Sequence, residues 1–201
     1  MTLRLVLVED QALMLEALAG LLELERDFSV VGRFDRPTEA LAAIPALAAD
    51  VIVADVEMPG MDGIALVAAL RGVGLTVPVL MLSTFGRPGY VERALAAGAR
   101  GYILKASPPA RLTDAIRRVA RGQTQIESAL LDDLGSESRR LSERERVLIG
   151  LMRQGLTNAE IAATLGLRPG TVRNQVSDLL ARLEARNRTE AVRIAHEGGW
   201  M

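Results

Sequence analysis

The chain has 201 residues, of which 49% are hydrophobic and 24% are charged, and its 24 basic residues nearly balance its 25 acidic residues. This composition indicates a folded globular protein. The absence of cysteine excludes disulfides, zinc–thiolate sites and iron–sulfur clusters, and a lone histidine near the C-terminus argues against a Ser-His-Asp triad. Without a long apolar run or a signal-peptide pattern, we expect a cytoplasmic protein with no membrane partner.

In residues 1–122, short apolar segments alternate with helical stretches. The predicted strands are β-branched and apolar on both faces, as in covered parallel sheets: Leu3–Val8, Phe28–Gly32, Val51–Ala54, Val77–Leu82 and Gly101–Leu104. The predicted helices have apolar residues three or four apart: Leu13–Leu24, Thr38–Leu47, Gly63–Leu70, Tyr90–Ala97 and Leu112–Ala120. This alternation predicts a doubly wound α/β domain with a five-stranded parallel sheet, in which ligands bind beyond the carboxyl ends of the strands.

The pattern changes after Gly122. Residues 123–138 carry four acidic residues and no basic one, and we interpret them as a linker with room for a short helix. Residues 139–201 are helical in pattern, and we expect them to form a small all-α domain. This segment carries eleven arginines and seven acidic residues, for a formal charge of +4. A basic domain in a nearly neutral chain indicates a polyanionic partner for that domain.

Polar residues stand at the carboxyl ends of several predicted strands. They are Glu9 and Asp10 after the first strand, Asp55 after the third, Ser83 after the fourth and Lys105, the only lysine, after the fifth. These strand ends lie at one edge of a parallel sheet, so the side chains can converge. Packed carboxylates raise one another's pKa unless a cation neutralises them, and Mg²⁺ is a natural oxygen-binding partner.

Each of these residues alone has an ordinary structural explanation. A single Asp at a strand end is commonly a helix cap or a turn residue, and a single lysine usually lies on the surface. Five such residues at successive ends of one regular sheet are harder to explain in that way. Carboxylates, a hydroxyl and an ammonium group together can support phosphoryl transfer.

The segment Val51-Ile52-Val53-Ala54-Asp55-Val56-Glu57-Met58-Pro59-Gly60-Met61-Asp62-Gly63 resembles the phosphoacceptor segment of response-regulator receiver domains. Together with Glu9-Asp10, Ser83 and Gly101-Tyr102-Ile103-Leu104-Lys105, the resemblance extends over residues 1–120. It implies a flavodoxin-like fold in which Asp55 accepts a phosphoryl group from a sensor histidine kinase.

The same resemblance implies roles for the other site residues. Mg²⁺ would be held by Asp10, Asp55 and the backbone carbonyl of Glu57, with Glu9 acting mostly through water. Lys105 would pair with the phosphoryl oxygens.

Two further residues are implied to act as the switch. Ser83 would hydrogen-bond the phosphoryl group after transfer, and Tyr102 would be its aromatic rotamer partner. Ser83 stands where the family more often has Thr, and Thr84-Phe85 follows where a small Ala is common. We therefore expect the access to the phosphate and its lifetime to differ from the commonest pattern.

The C-terminal segment predicts capped helices. Ser142 followed by Glu145 has the pattern of a capping box, and Thr157-Asn158 caps a helix over Ala159–Leu165. A further helix is predicted from Thr171 to Leu183. Two short helices joined by a glycine-containing turn, the second bearing Arg and Asn side chains that can read base edges, predict a helix-turn-helix. Helical hairpins with surface arginines are nevertheless also common in proteins that do not bind DNA.

The segments Gly155-Leu156-Thr157-Asn158-Ala159-Glu160-Ile161-Ala162, Thr171-Val172-Arg173-Asn174-Gln175-Val176-Ser177 and Arg186-Asn187-Arg188-Thr189-Glu190-Ala191 resemble a LuxR-type DNA-binding domain. The resemblance implies that Thr171–Leu183 is the recognition helix for a double-stranded DNA operator. The resemblance further implies that the DNA groove is faced by Arg173, Asn174 and Ser177. It implies that the phosphates of the DNA backbone are held by Thr157, Asn158 and Arg182. Ala159 stands where the family often has Lys, and Gln175 where it often has His.

A receiver (1–122), a linker (123–138) and a LuxR-type domain (139–201) together resemble NarL/FixJ-family response regulators. The resemblance implies a transcription regulator, not an enzyme, that forms a homodimer on phosphorylation, with RNA polymerase as a further candidate partner. Leu13–Leu22 and Leu112–Ala120 are candidate pairing faces, although their apolar stripes are equally explained as core-facing. Two alternatives stay open: a constitutive dimeric transcription factor with a non-signalling receiver and, less favoured, a phosphatase that forms an aspartyl-phosphate.

Overall fold

The computed structural model describes residues 2–84, 86, 88–127, 130 and 141–200. The chain divides into two compact units, one spanning residues 1–86 and 91–132 and the other spanning residues 87–90 and 133–201. Phe85 and most of the predicted linker, including the short helix expected there, lie outside the described residues. Within the described part of the chain, no helix has the length and apolar character needed to cross a membrane.

The first unit contains a parallel sheet. Its strands are β1 (Leu3–Val8), β2 (Phe28–Phe34), β3 (Val51–Asp55), β4 (Val79–Ser83), β5 (Gly101–Leu104) and β6 (Gln125–Ile126). They lie in the order β2-β1-β3-β4-β5-β6, and every neighbouring pair is parallel. The doubly wound parallel fold is confirmed. The predicted count of five omits β6, whose two residues are too few to show the alternation of a strand.

Helices cover both faces of this sheet. They are α1 (Ala12–Glu23), α2 (Pro37–Leu47), α3 (Gly63–Gly72), α4 (Pro88–Ala96) and α5 (Pro109–Ala120). Leu5 and Leu7 of β1 belong to the core cluster that contains the apolar faces of α1 and α5. Val6 and Val8 alternate with them, project to the opposite face and are equally buried. Burial on both faces explains why the sequence of β1 is a nearly continuous apolar run.

The strand order reverses direction between β1 and β3, and this point positions the site. β1 lies between β2 and β3, and Val8 at the end of β1 is in register with Ala54 of β3. Glu9 therefore follows β1 directly beside Asp55, the last residue of β3. In open α/β sheets, ligands bind outside the carboxyl ends of the strands at such a reversal.

The second unit is helical in its described C-terminal part. Its helices there are α6 (Glu143–Arg153), α7 (Asn158–Leu165), α8 (Pro169–Arg182) and α9 (Arg188–Glu197). Capping boxes start α6 at Ser142 and α7 at Thr157; the sequence predicts the first as a box and the second as a helix cap. Gly166 ends α7 with a positive φ of 66°, a conformation that glycine adopts without strain. A separate apolar core joins all four helices.

Gly63, the first residue of α3, predicts a stability effect that depends on one close approach. A Cβ at Gly63 would overlap the backbone carbonyl oxygen of Asp55 and lie 2.7 Å from the terminal methyl of Met81. Gly63→Ala is therefore expected to lower the free energy of unfolding by about 1–3 kcal/mol, measured by urea denaturation. Gly72→Ala in the same helix meets no atom within 4 Å and should leave the stability unchanged or slightly raised. Equal losses in both variants would contradict the steric explanation.

Candidate phosphoryl-transfer site and nucleic-acid interface

Three acidic side chains meet where β1 and β3 end. Glu9, Asp10 and Asp55 each offer a carboxylate oxygen, and these oxygens all lie within 4.8 Å of one another. Glu9 is 1% exposed and Asp55 is 3% exposed, whereas Asp10 is partly buried. The structure thus brings together all three carboxylates that the sequence places at strand ends.

Lys105 supplies the cation of this cluster. Its Nζ lies 2.7 Å from Oε2 of Glu9 and 3.1 Å from Oδ2 of Asp55, and its side chain is only 10% exposed. Its backbone N–H donates to the carbonyl oxygen of Ser83 at 2.8 Å, which ties the residue to the end of β4. The ammonium group is therefore held between two buried carboxylates.

Burial and mutual charge set the ionisation of the cluster. The pKa of Asp55 is raised, mainly because burial disfavours the carboxylate, although contact with the Lys105 ammonium opposes this. Burial also raises the pKa of Glu9, against the lowering effect of its contact with Lys105. For Lys105, burial acts to lower the pKa, but its contacts with Glu9 and Asp55 prevail and raise it. The Lys105 ammonium group therefore only partly offsets the effect of burial on Glu9 and Asp55.

The donor set suits a hard divalent cation. Its ligand atoms are carboxylate oxygens, which are the ligands that Mg²⁺ and Ca²⁺ prefer. Among the described residues, buried Oδ1 of Asp10 is without a hydrogen-bond partner. Buried acceptors are rarely left in this state, so a cation that accepts electron density from Oδ1 fits the geometry. The cluster can therefore hold a metal ion beside Asp55.

The two predicted switch residues lie inside the sheet. Ser83 at the end of β4 and Tyr102 in β5 are both fully buried. They alternate with Leu82 and Ile103, which belong to the core beneath α1 and α5, so both project to the opposite face. Ser83 and Tyr102 therefore share one face of two paired strands.

Glu57 lies in the loop between β3 and α3, with its side chain exposed. The loop closes through a hydrogen bond from the Gly63 N–H to the carbonyl oxygen of Val56 at 3.0 Å. Asp62 caps α3 by accepting the N–H of Ala65 at 2.6 Å. These bonds give the segment that follows Asp55 a defined path.

In the second unit, α8 presents a polar face. Val172, Val176 and Leu179 are buried on its inner side. The residues predicted to face the DNA groove, which are Arg173, Asn174 and Ser177, are all exposed. Positions i, i+1 and i+4 share one side of an α-helix, so the three side chains form a single polar surface.

Two residues that the sequence assigns to phosphate contacts already have partners within the unit. Arg182 forms an ion pair with Glu145 of α6 at 2.6 Å. The hydroxyl of Thr157 donates to Oε2 of Glu160 at 2.7 Å in the capping box of α7. Asn158, the first residue of α7, is partly buried. The partnership of Arg182 with Glu145 joins distant positions, and no local sequence signal predicts it.

Sequence comparison matches two family models to this chain. A response regulator receiver domain matches residues 5–117, and the luxR family of bacterial regulatory proteins matches residues 139–195. The chain belongs to the NarL/FixJ family of response regulators. It therefore combines a receiver with a LuxR-type DNA-binding domain, and members of this family are two-component regulators of transcription, not enzymes. Receiver domains generally bind Mg²⁺ at such an acidic site.

Similar proteins match this chain over nearly its whole length. The uncharacterized transcriptional regulatory protein YvfU of Bacillus subtilis (strain 168) is 41% identical, with 99% of this chain and 100% of YvfU covered. The transcriptional regulatory protein DesR of the same strain is 40% identical, with 96% of each chain covered. The crystal structure of the response regulator ChrA, from a heme-sensing two-component system, is 30% identical with a TM-score of 0.59, and the match covers 100% of this chain and 99% of ChrA.

One polar residue beside the receiver site was missed by the sequence analysis. Glu127 follows β6 and accepts hydrogen bonds from the N–H of Leu104 at 3.0 Å and from the hydroxyl of Ser107 at 2.7 Å. It lies in the segment assigned to the linker. A single acidic residue in such a segment is expected to be a solvent-exposed loop residue. Only the pairing of β6 with β5 brings it to the site.

The raised pKa of Asp55 predicts a pH-dependent stability difference for Asp55→Asn. In the folded protein this pKa lies above its ordinary value of 3.8, so ionisation weakens folding as the pH rises from 3.8 towards the folded-state pKa. Asparagine has a similar shape and does not ionise. We expect its stability advantage over the wild type to be small in acid and to grow to a plateau towards neutral pH, as measured by urea unfolding across a pH series.

Asp114→Asn is the matched control for this experiment. It removes an exposed carboxylate of α5 that pairs with Arg118 at 2.9 Å, and should change the stability by less than about 0.5 kcal/mol. An advantage of Asp55→Asn that stays constant with pH would contradict the electrostatic explanation.

Proposed function

We propose that Asp55 accepts a phosphoryl group from the phosphohistidine of a sensor kinase. A carboxylate oxygen of Asp55 attacks phosphorus, the bond from phosphorus to the histidine nitrogen breaks, and an acyl phosphate forms. The observation that carries this proposal is the convergence of three carboxylates and the Lys105 ammonium at the reversal of strand order. Lys105 is close enough to Asp55 to pair with phosphoryl oxygens when they arrive.

The proposed cofactor is Mg²⁺, which offsets negative charge on the transferring phosphoryl group. Asp10, Asp55 and the backbone carbonyl of Glu57 are the proposed ligands, with Glu9 acting through water. The oxygen donor set and the unpartnered Oδ1 of Asp10 support this assignment.

Phosphorylation is proposed to shift the receiver between two conformations. The hydroxyl of Ser83 donates to a phosphoryl oxygen, and the Tyr102 ring follows into the space that Ser83 leaves. Their complete burial on a shared face supports the coupling, because a side chain that moves within a close-packed interior displaces its neighbours.

The active conformation is proposed to form a homodimer through α1 and α5. Between these helices lies a groove of about 200 Å³, with the partly buried Met14, Leu18 and Leu21 of α1 in its lining. Leu13 at the start of α1 is 86% exposed. A second copy of the chain that covers these apolar side chains would remove them from water.

The dimer is proposed to bind an operator with two half-sites. Arg173, Asn174 and Ser177 would read bases in the major groove, while Thr157, Asn158 and Arg182 would contact phosphates. Joining two modest contacts raises the effective concentration of the second domain at its half-site. Because DNA is the proposed target, with RNA polymerase as a further candidate partner, the cytoplasm is the proposed site of action.

The switch predicts that oligomeric state depends on Asp55. Beryllofluoride binds carboxylates as an analogue of a phosphoryl group, so with Mg²⁺ it should convert the wild-type protein from monomer to dimer. Asp55→Ala should stay monomeric because it lacks the accepting carboxylate. Light scattering measures the molar mass in both cases. A wild-type dimer without additives that Asp55→Ala shares would instead favour the constitutive regulator with a non-signalling receiver.

The DNA proposal predicts unequal effects for two exposed arginines. The probe is a duplex selected from a random pool by the beryllofluoride-bound wild-type protein, and affinity is measured by fluorescence anisotropy at fixed salt. Arg173→Ala should reduce discrimination between this duplex and a scrambled duplex by about 1–3 kcal/mol, because it removes a base contact. Arg144→Ala removes an exposed arginine of α6 and should preserve the discrimination. Equal discrimination by both variants would contradict the assignment of α8 as the recognition helix.

A further inference from the structure

Glu127 forms hydrogen bonds with residues on either side of Lys105 in the chain. Its Oε2 accepts the backbone N–H of Leu104 at 3.0 Å, and its two carboxylate oxygens each lie 2.7 Å from the hydroxyl oxygen of Ser107. Leu104 precedes Lys105, and Ser107 follows it by two residues. A carboxylate accepts stronger hydrogen bonds than a neutral acceptor, so this is a firm attachment for a short loop.

The loop that carries Lys105 has further supports. The N–H of Lys105 donates to Ser83 at the end of β4 at 2.8 Å, and the N–H of Ser107 donates to the carbonyl of Leu104 at 3.0 Å. The loop is therefore held by β4 on one side and by Glu127 on the other. Its rigidity matters because the long side chain of Lys105 must keep its ammonium group between Glu9 and Asp55.

Glu127 is itself fixed by the sheet. Its N–H donates to the carbonyl of Tyr102 at 3.2 Å, directly after β6 pairs with β5. Three residues later, Leu130 is 5% exposed and packs so closely on Gly86 that a Cβ at Gly86 would overlap it. The segment that begins with β6 is thus attached to β5 at Glu127 and packs on Gly86 at Leu130.

We propose that Glu127 is a positioning residue for phosphoryl transfer, because its carboxylate fixes the loop that holds Lys105 at Asp55. This inference rests on the proposed function of Asp55 as phosphoryl acceptor. It makes the segment around β6 a support of the phosphorylation site. The two sites are then coupled in both directions. A state of Asp55 that favours the contact with Lys105 also favours the pairing of β6 with β5, and the pairing of β6 favours that state of Asp55.

The test compares three substitutions in the full chain. Glu127→Ala removes both hydrogen bonds to the loop. Glu127→Gln keeps an acceptor for Leu104 and gains an NH₂ that can donate to the hydroxyl oxygen of Ser107. Ser107→Ala removes one bond and leaves the backbone contact. Gln125→Ala, which shortens a neighbouring side chain of β6 and leaves its backbone in place, is the control.

The first readout is the rate at which each protein gains one phosphoryl group from acetyl phosphate and Mg²⁺, followed by intact-mass spectrometry. We expect Glu127→Ala to react about tenfold more slowly than the wild type, Ser107→Ala to be intermediate, and Glu127→Gln and Gln125→Ala to stay within about twofold. The second readout is hydrogen exchange at the Leu104 amide, which should accelerate in Glu127→Ala and be restored in Glu127→Gln.

The outcomes separate this inference from the proposed function. If the wild type gains no phosphoryl group, the proposed function fails and the positioning role fails with it. If the wild type reacts and Glu127→Ala reacts equally fast while its Leu104 amide exchanges faster, Glu127 only stabilises the loop and the positioning role alone is overturned. If Glu127→Ala does not fold, Ser107→Ala decides: a wild-type rate overturns the inference, and a reduced rate supports it.

Discussion

The receiver is organised around the charged cluster at the carboxyl ends of β1 and β3. Three carboxylates come within reach of a single cation, and two of them are almost completely removed from water. Separated carboxylates on the surface would ionise freely, but burial here raises the pKa of Glu9 and Asp55. The free energy that these groups lose on burial is partly recovered through Lys105. Such a site gains stability from any ligand that completes the compensation of charge.

The rest of the first unit can be understood as the support for this arrangement. The reversal of strand order brings Glu9 beside Asp55, and the close packing of Gly63 on the Asp55 carbonyl brings α3 directly under the same strand end. On the far side, the β5–α5 loop presents Lys105 and is bonded to β4 and to Glu127. Rigid elements therefore surround a cluster whose net charge changes when it gains a ligand. In the proposed function, this local change of charge shifts the receiver between its two conformations.

The second unit is stabilised in a simpler way. A small apolar core holds four helices, and reciprocal caps at Ser142 and Thr157 satisfy backbone donors at two helix starts. The buried row of α8 orients its exposed row, which includes Arg173 and Asn174. The ion pair between Arg182 and Glu145 holds the end of α8 against α6. The core and this ion pair therefore fix the orientation of the polar row that is proposed to meet DNA.

Much of this protein can be predicted from the sequence by itself, because the signals are local. Apolar runs and helical spacing predict the five main strands and their helices, and the polar residues that end three of those strands predict the meeting of Glu9, Asp10, Asp55 and Lys105. Capping patterns predict the starts of α6 and α7 to within one residue. The motif around Asp55 and the segments around Thr157 and Arg173 indicate the family, which the comparisons confirm.

The partners of the charged side chains depend on the tertiary structure. Lys105 lies closer to Glu9 than to Asp55, a preference that depends on the path of the β5–α5 loop. Glu127 reaches that loop only because a two-residue strand extends the sheet, and Arg182 meets Glu145 only because α6 and α8 share one core. Such contacts join positions that are far apart in the chain. Residue type and spacing report local conformation and the side of an element that is buried, whereas the choice of partner depends on distances that exist only after the elements have packed.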